Sequence, residues 1–517
     1  MNAANFLSIP ASLFPDQEIL VFEKIRLTYG RCLDRVRRLG AALSGLGLGR
    51  GDRIAVLQTN SHQYIEAFYA TATIGAVFVP LNYRAKLAEL DHMVTAAGAK
   101  ALFVGERYLD TVRQLRPRLQ CVQRYVGFER PCEGFLGYED LILAAAPAEE
   151  EVAIDEDDTA ILMYTSGTTA LPKGVMLTHG DFTVYVCGTV EMADGTPRGA
   201  ALLCAPLYHI AAAANMMTTF FGGRRLVIMR QFEAQQWLDI VERERVTHAF
   251  VVPTMLKQLL DQPDVTSRDL RSLEVLAYGG AAMPFGVVRQ AIDTFPPTVG
   301  FVNAFGQTET TSTVAILGPE DHRLTGSPEE IEQKLRRLQS IGRPLPDVEM
   351  KVCDEEGCEL PPGQVGELAV RTPRVMKGYA TGEGASSALR DGWLLTRDMG
   401  WIDDGGYVFL AGRRDDMIIR GGENIAPAEV EAVIQTHPAV EDVVVIGLPD
   451  VDWGQKVAAV VVPRAGSRVA ADELIEYCRQ RIASFKKPDV IHFADVLPRN
   501  DLGKVLRREL RAKFDAA

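Results

Sequence analysis

Tyr164, Thr165, Ser166, Thr168 and Thr169 place five hydroxyl side chains within six residues, with Gly167 among them and Lys173 and Gly174 just beyond. Hydroxyls and glycine N–H groups donate hydrogen bonds, and the lysine adds a point charge. The stretch YTSGTTALPKGVMLTH (Tyr164–His179) therefore has the chemistry to hold an anion with many oxygens, such as a polyphosphate. It is not the Walker pattern, because no Gly-Lys-Ser/Thr closes it. An ordinary Ser/Thr/Gly turn has the same composition, so the stretch alone leaves both readings open. The apolar run TAILMY before it and the residues after it put this loop between a strand and a helix.

Six later stretches carry further reactive types: YHIAAAAN (Tyr208–Asn215), YGGAAMP (Tyr278–Pro284), NAFGQTET (Asn303–Thr310), TRDMG (Thr396–Gly400), GRRDDMIIRGGENIAPAEVE (Gly412–Glu431) and PRNDLGKVLR (Pro498–Arg507). Asp398 can only accept hydrogen bonds and Arg413 can only donate them. Taken singly, Asp398 on a turn, Arg413 before a linker, Glu309 in a loop and Lys504 near the end would all be solvated surface groups. Taken in order over nearly the whole chain, the stretches resemble the adenylate-forming superfamily of acyl-CoA synthetases, luciferases and peptide-synthetase adenylation domains.

That resemblance implies condensation of a carboxylate with ATP to acyl-AMP and pyrophosphate, followed by attack of a thiol. A carboxylate and a triphosphate repel, so the site must supply positive charge and aligned donors rather than a protein nucleophile. By resemblance, Thr165, Ser166, Gly167, Thr168, Thr169 and Lys173 hold the β- and γ-phosphates, and Glu309, with Thr165, attends Mg2+. Gly280, Ala281 and Ala282 form a small-residue wall for the nucleotide, Phe305 stacks on adenine, and Asn303, Ala304, Gly306, Gln307 and Thr308 complete that motif. Asp398 takes the ribose hydroxyls and Arg413 the ribose or a phosphate. Lys504 bridges the substrate carboxylate and the α-phosphate, Asp415 is the pivot of a mobile tail, and Gly421 and Gly422 let pantetheine pass close to backbone. Two positions depart from the pattern: Ala170 stands where glycine is common, and Arg397 stands where TGD is usual.

The elements that must position these residues follow from hydrophobic patterning. RIAVLQ, AVFVPL, AKALFVG, TAILMY, ALLCAPL, RRLVIM, THAFVVP and LEVLAYG read as buried strands alternating with helices such as SHQYIEAFYATATIG. The fold class is therefore α/β, with parallel helix-covered sheets in a large N-terminal domain. From about Val348 short strands and turns (EMKVC, GELAVR, YVFLAG) predict a small antiparallel, barrel-like unit. The boundary is expected at 412/413, giving residues 1–412 for ATP and acid and 413–517 as a mobile α+β tail. Ala200–Gly223 lacks Asp, Glu, Lys and Arg, but Pro206, His209 and Asn215 favour a buried strand–turn–helix over a membrane span.

At 517 residues and net charge −13, the chain is large enough for several cores and unsuited to general nucleic-acid binding. Eight cysteines without a C-x-x-C pair, and an N-terminus without a signal-peptide pattern, predict reduced thiols and a cytoplasmic protein. No fused carrier domain is expected after Lys504; peripheral membrane contact and a homodimer stay open.

Four second steps compete: CoA attack, carrier-protein attack, luciferase-like oxygen chemistry, and none at all in an inactive nucleotide sensor. The full set of catalytic-type residues and the RGGEN glycines favour an acid–CoA ligase using ATP, Mg2+ and coenzyme A, with stand-alone loading of a carrier protein next. His209 opens a helix whose residues Ala211, Ala214 and Asn215 share one face at i, i+3, i+4 spacing, and by resemblance this stretch lines the acyl pocket. Ala211 replaces the bulky tyrosine of the similar 4-coumarate–CoA ligases. A medium- or long-chain fatty acid is the favoured small-molecule substrate, an aryl or alicyclic acid the next.

Overall fold

A computed structural model describes residues 1–130, 132–148, 152–165, 171–380, 388–421, 423–500 and 503–515. The apolar runs form parallel strands that divide between two large sheets. Arg53–Leu57, Val77–Pro80, Ala101–Val104 and Thr159–Thr165 lie in an eight-stranded sheet. Ala200–Leu203, Arg225–Ile228, His248–Val251 and Val275–Gly279 lie in a nine-stranded one. Neighbours among these strands run parallel within each sheet, and both faces are covered, which is why runs such as Val77–Pro80 and Ala101–Val104 are wholly buried. The helices His62–Thr73 and Ile210–Phe221 share one core cluster with strands of both sheets. His62 through Ala72 are buried all round, as a helix packed between two layers requires.

Glu18–Phe22 crosses into the nine-stranded sheet and pairs with Arg225–Ile228. An antiparallel five-stranded sheet follows, built on Glu349–Cys353, Gly366–Arg371, Trp393–Ile402 and Val408–Arg413. The C-terminal unit has the hairpin Val440–Asp450 with Gly454–Pro463, the parallel strand Val490–Phe493, and helices Pro427–Gln435, Ala471–Arg479 and Arg507–Asp515. It carries its own apolar clusters. Ala200–Gly223 folds as a strand, a turn and a helix; among the described residues no helix is long and apolar enough to cross a membrane.

One local expectation is corrected. Lys173 does not lead directly into a helix but starts the strand Lys173–Thr178, which turns back antiparallel on Thr159–Thr165 with Thr165 opposite Lys173. KGVMLT is mostly buried within the sheet, and the helix waits until His179, where Thr178 and Asp181 form a capping box.

His179 has no solvent exposure, and its Nδ1 accepts a hydrogen bond from the Ala3 amide at 3.1 Å. Burial lowers its pKa to about 4. The unfolded chain takes up this proton near pH 6.5 and the folded one does not, so the stabilisation is complete above about 6.5 and is lost as pH falls through 4. The gap amounts to roughly 3 kcal/mol. His179→Asn, which keeps an acceptor for Ala3, is expected to flatten the fall in melting temperature between pH 7 and 4 (about the range of the gap). Parallel curves for variant and wild type would assign the acid sensitivity elsewhere.

Candidate active site

The strand Gly300–Gln307 runs into a 3-10 turn, Thr308–Thr310, and then doubles back as Ser312–Leu317. The reversal is tight. A Cβ on Gly306 would lie 1.9 Å from the Ser312 carbonyl oxygen, and Thr311 and Ser312 both take positive φ, at 49° and 82°. What pins the turn is Arg374, 1% exposed, whose guanidinium donates to the carbonyls of Thr310 and Thr313 (2.8 Å each) and to Asp347 (2.7 Å). The Met376 amide donates to the Glu309 carbonyl, and the Tyr379 hydroxyl donates to Glu309 Oε1 at 3.0 Å. Tyr379 lies on Gly378–Tyr379, a short strand paired to Lys173–Thr178, and its ring faces the Lys173 ammonium at 5.6 Å. Tyr379 thus joins the lysine of the first motif to the carboxylate of the fourth. Burial, then the Glu309 charge, raises its phenol pKa and keeps it a donor. Ser166, Gly167, Thr168, Thr169 and Gly422 lie outside the described residues.

A second cluster forms around Asp398. Its strand pairs with Val408–Arg413 so that Asp398 stands opposite Arg413, and the Arg413 Nε meets Asp398 Oδ1 at 2.7 Å. Gln307 Nε2 donates to Asp398 Oδ2 at 2.5 Å and to the Thr396 carbonyl at 3.1 Å. Burial raises the Asp398 pKa against the pull of Arg413 and Lys504.

Lys504 reaches this cluster from the C-terminal unit. Asn500 fixes its turn from both ends: its Oδ1 accepts from the Lys504 amide at 2.8 Å, and its own amide donates to the Lys504 carbonyl at 2.9 Å. Arg499 braces the turn by donating to the Gly503 carbonyl and to Asp442. Gly503, buried at φ 76°, lies against Thr254 at the start of helix Pro253–Leu260, and a Cβ there would come within 2.5 Å of Thr254 Cγ2. Lys257 of the same helix pairs with Glu441 at 3.5 Å. Lys504 remains solvent-accessible along its side chain, yet desolvation lowers its pKa. The like charge of Arg413 adds to that, and Asp398 and Asp416 oppose it.

Gly280 (φ 79°) and Ala282 are exposed beside the strand ends, next to the half-buried Ala281, Asn303 and Ala304. Asn303 donates to the Ser340 carbonyl at 3.2 Å, and Phe305 packs partly onto apolar clusters beneath the strand. Thr308 is half-buried within the turn. His209 caps Ile210–Phe221 without a side-chain cap bond, its ring 4.2 Å from that of Tyr208. Ala211 and Asn215 are half-buried, whereas Ala214 belongs to the core, so the expected shared face splits: three residues advance a helix by about 300°, and only i and i+4 stay close enough in angle here. Gly421 (φ 57°) is exposed and lies against Trp453 of its own unit, whose Cε3 a Cβ would meet at 2.7 Å.

Tyr379, Arg374, Gln307 in its bond to Asp398, Thr254 and Trp453 had no assigned role in the motif reading. The pattern RVMKGY held no charge or spacing that points to Glu309, because only the pairing of Gly378–Tyr379 with Lys173–Thr178 brings them together. Arg397 did carry a signal, as the residue that departs from TGD.

The profile of the family described as AMP-binding enzyme matches residues 9–380, and that of the AMP-binding enzyme C-terminal domain matches residues 429–504. A feruloyl-CoA synthase from Amycolatopsis sp is 37% identical over 491 residues, 94% of each chain. A fatty acid–[acyl-carrier-protein] ligase from Streptomyces coeruleorubidus is 34% identical over 97% of this chain and 94% of its own. The solved o-succinylbenzoate CoA synthetase of Bacillus subtilis, in complex with its acyl-adenylate intermediate, is similar at a TM-score of 0.83 and 30% identity over 98% of each chain. This chain accordingly belongs to the AMP-binding enzymes, in the acyl-CoA synthetase branch of the adenylate-forming superfamily, and is an AMP-forming acid–thiol ligase.

Proposed function

We propose that the chain joins a medium- or long-chain fatty acid to coenzyme A in two steps on one site. In the first, the carboxylate attacks the α-phosphorus of ATP and releases pyrophosphate, leaving acyl-AMP. In the second, the CoA thiol attacks the acyl carbonyl, gives up its proton and expels AMP. The observation that carries this reading is the docking of the Gly503–Lys504 turn on Thr254, which delivers a lysine to the Asp398–Arg413 cluster from a separate unit.

Lys504 neutralises the carboxylate and α-phosphate as they approach. Asp398 already accepts from Arg413 and Gln307 and keeps lone pairs for the ribose hydroxyls. Thr165, Lys173 and the loop between them hold the outer phosphates, Gly280 to Ala282 and Phe305 flank the base, and Arg413 donates to ribose or phosphate. Among the described residues no three His, Cys, Asp or Glu side chains gather as a metal cage. Mg2+ needs none, because it keeps water and phosphate oxygens and takes one or two carboxylates. Glu309, oriented by Tyr379, fits that donor set together with Thr165 of the first motif, which stands opposite Lys173; the ion would supply charge neutralisation on the leaving pyrophosphate. In the second step the residues 413–517 turn about Asp415 and present Gly421 and Gly422 to pantetheine. SFKKP (Ser484–Pro488) adds positive charge for the CoA phosphates, although Lys486 is paired with Glu429 at 2.7 Å.

The half-buried, small Ala211 at the head of its helix supports an acid that needs room there. A second reading, an aryl acid bearing a hydroxyl, draws on Asn215: its buried Oδ1 has no hydrogen-bond partner among the described residues, and a phenolic donor would satisfy it.

CoA-dependent release of AMP from ATP and the acid, with no protein partner added, separates a CoA ligase from a carrier-loading enzyme. Ala211→Tyr decides the pocket. Each buried methylene contributes about 0.8 kcal/mol, so excluding four costs roughly 3 kcal/mol, on the order of a hundredfold in kcat/KM for a long-chain acid. Short or aromatic acids should lose little. A uniform decline with a lowered melting temperature would mean overpacking of a core face and would remove the fatty-acid preference.

A further inference from the structure

Residue 397 holds a left-handed backbone, φ 61°, in the middle of the strand Trp393–Ile402. Glycine adopts this conformation freely, and an arginine there is strained. Such strain persists only where surrounding contacts hold it, and two do. The Arg397 amide donates to Glu367 Oε1 at 2.9 Å, and its Nη2 donates to both carboxylate oxygens of Asp415, at 2.6 and 2.8 Å. Asp415 is the middle residue of the 3-10 turn Arg414–Asp416 that leaves the antiparallel sheet for the C-terminal unit. Its neighbours are tied to opposite sides. Arg414 pairs with Glu367 of the sheet at 3.1 Å, whereas Asp416 accepts from Arg511 of the terminal helix at 2.9 Å.

Resting on the two-step reading above, we propose that Arg397 is a positioning residue that latches the Asp415 turn in the acid-activating arrangement and so sets how the enzyme divides its time between the two steps. The Arg397–Asp415 pair crosses the turn at the residue about which the two-step reading has the C-terminal unit rotate. While it is closed, the unit is held with Lys504 on the Asp398 cluster and Gly421 turned to Trp453 within its own unit. Pantetheine must reach the same carbonyl, so the pair opens once per turnover. Both partners are partly exposed, which makes the latch weak enough to open and sensitive to salt.

The test measures the two half-reactions separately in the full-length enzyme: acyl-AMP formation from ATP with octanoate or ferulate, and thioester formation from CoA with the matching supplied acyl-AMP. Arg397→Gly relieves the backbone strain and removes the latch, and Asp415→Asn removes the charge with the backbone unchanged. Each is expected to shift the ratio of the two rates toward thioester formation by roughly fivefold, the scale of an exposed ion pair. The exchanged pair, Arg397→Asp with Asp415→Arg, should return the ratio toward wild type. Raising salt from about 0.02 M to about 0.5 M should shift the wild-type ratio in the same direction and leave Arg397→Gly unmoved. An unchanged ratio in both single variants overturns the latch, as does equal loss in both half-reactions with a lowered melting temperature. Absence of acyl-AMP from either acid in the wild type would instead overturn the proposed substrates while the salt response of any other active acid still judges the latch.

Discussion

Lys504→Ala is expected to slow acyl-AMP formation about a thousandfold, the upper range for loss of one preorganised charge-stabilising group, and to spare thioester formation from supplied acyl-AMP. The step specificity follows from placement. Lys504 comes to Asp398 and Arg413 on a turn of the C-terminal unit, so it acts only while that unit is docked. Its charge is also poised. Burial and the Arg413 guanidinium lower its pKa, and Asp398 and Asp416 recover part of the loss. Since the lysine must be cationic to neutralise the approaching oxyanions, acyl-AMP formation should decline on the alkaline side at a pH below lysine's ordinary value of about 10.4. Lys504→Arg should abolish that decline even where it lowers the rate, because a guanidinium stays charged. Equal loss in both half-reactions for Lys504→Ala, or an alkaline limb that Lys504→Arg leaves in place, would remove the lysine from this role.

Much of the layout was legible because burial on both faces writes a strand as a continuous apolar run. RIAVLQ and LEVLAYG could be read without any partner in view. Which sheet each strand joins could not. Glu18–Phe22 carries nothing that names Arg225–Ile228 as its neighbour, because parallel pairing across a long separation is decided by packing of the whole layer. The same limit hid Tyr379, whose link to Glu309 exists only after a third strand is added beside Lys173. Helical spacing did not show that Ala214 is more buried than Ala211 and Asn215. A face of i, i+3, i+4 is an arc and not a line, and on this helix the edge of the core runs through it. Arg397 was visible as a departure from a pattern, yet its meaning lay in φ and in a carboxylate eighteen residues further along, neither of which a sequence displays. The charges of GRRDDM could equally have been solvated; the structure distributes them among Asp398, Glu367, Arg397 and Arg511, which makes the turn a junction.

Gly503→Ala carries the second large effect, about a thousandfold on acyl-AMP formation, although it adds a single methyl group. Two costs combine. At φ 76° an alanine pays roughly 1–2 kcal/mol, about tenfold in the population of the docked turn. Its Cβ would also sit 2.5 Å from Thr254 Cγ2 and 2.8 Å from Thr254 Oγ1, well inside contact distance. Thr254 is anchored at the start of a helix whose Met255, Leu256 and Leu259 are buried, so the turn has to give way rather than the helix. A retreat of about 1 Å carries Lys504 out of line with the reacting oxygens, which costs on the order of a hundredfold. On the proposed two-step reading the thioester step does not use this docking and should stay near wild type. Combining Gly503→Ala with Thr254→Ala removes the two closest overlaps, leaves a 3.2 Å approach to the Cβ of residue 254 and keeps the strain, so it should recover most of the clash's share of the loss and none of the roughly tenfold due to strain. No recovery in the double variant would mean that the methyl acts inside the C-terminal unit. Equal loss of both half-reactions would mean that Gly503 serves folding instead of the delivery of Lys504.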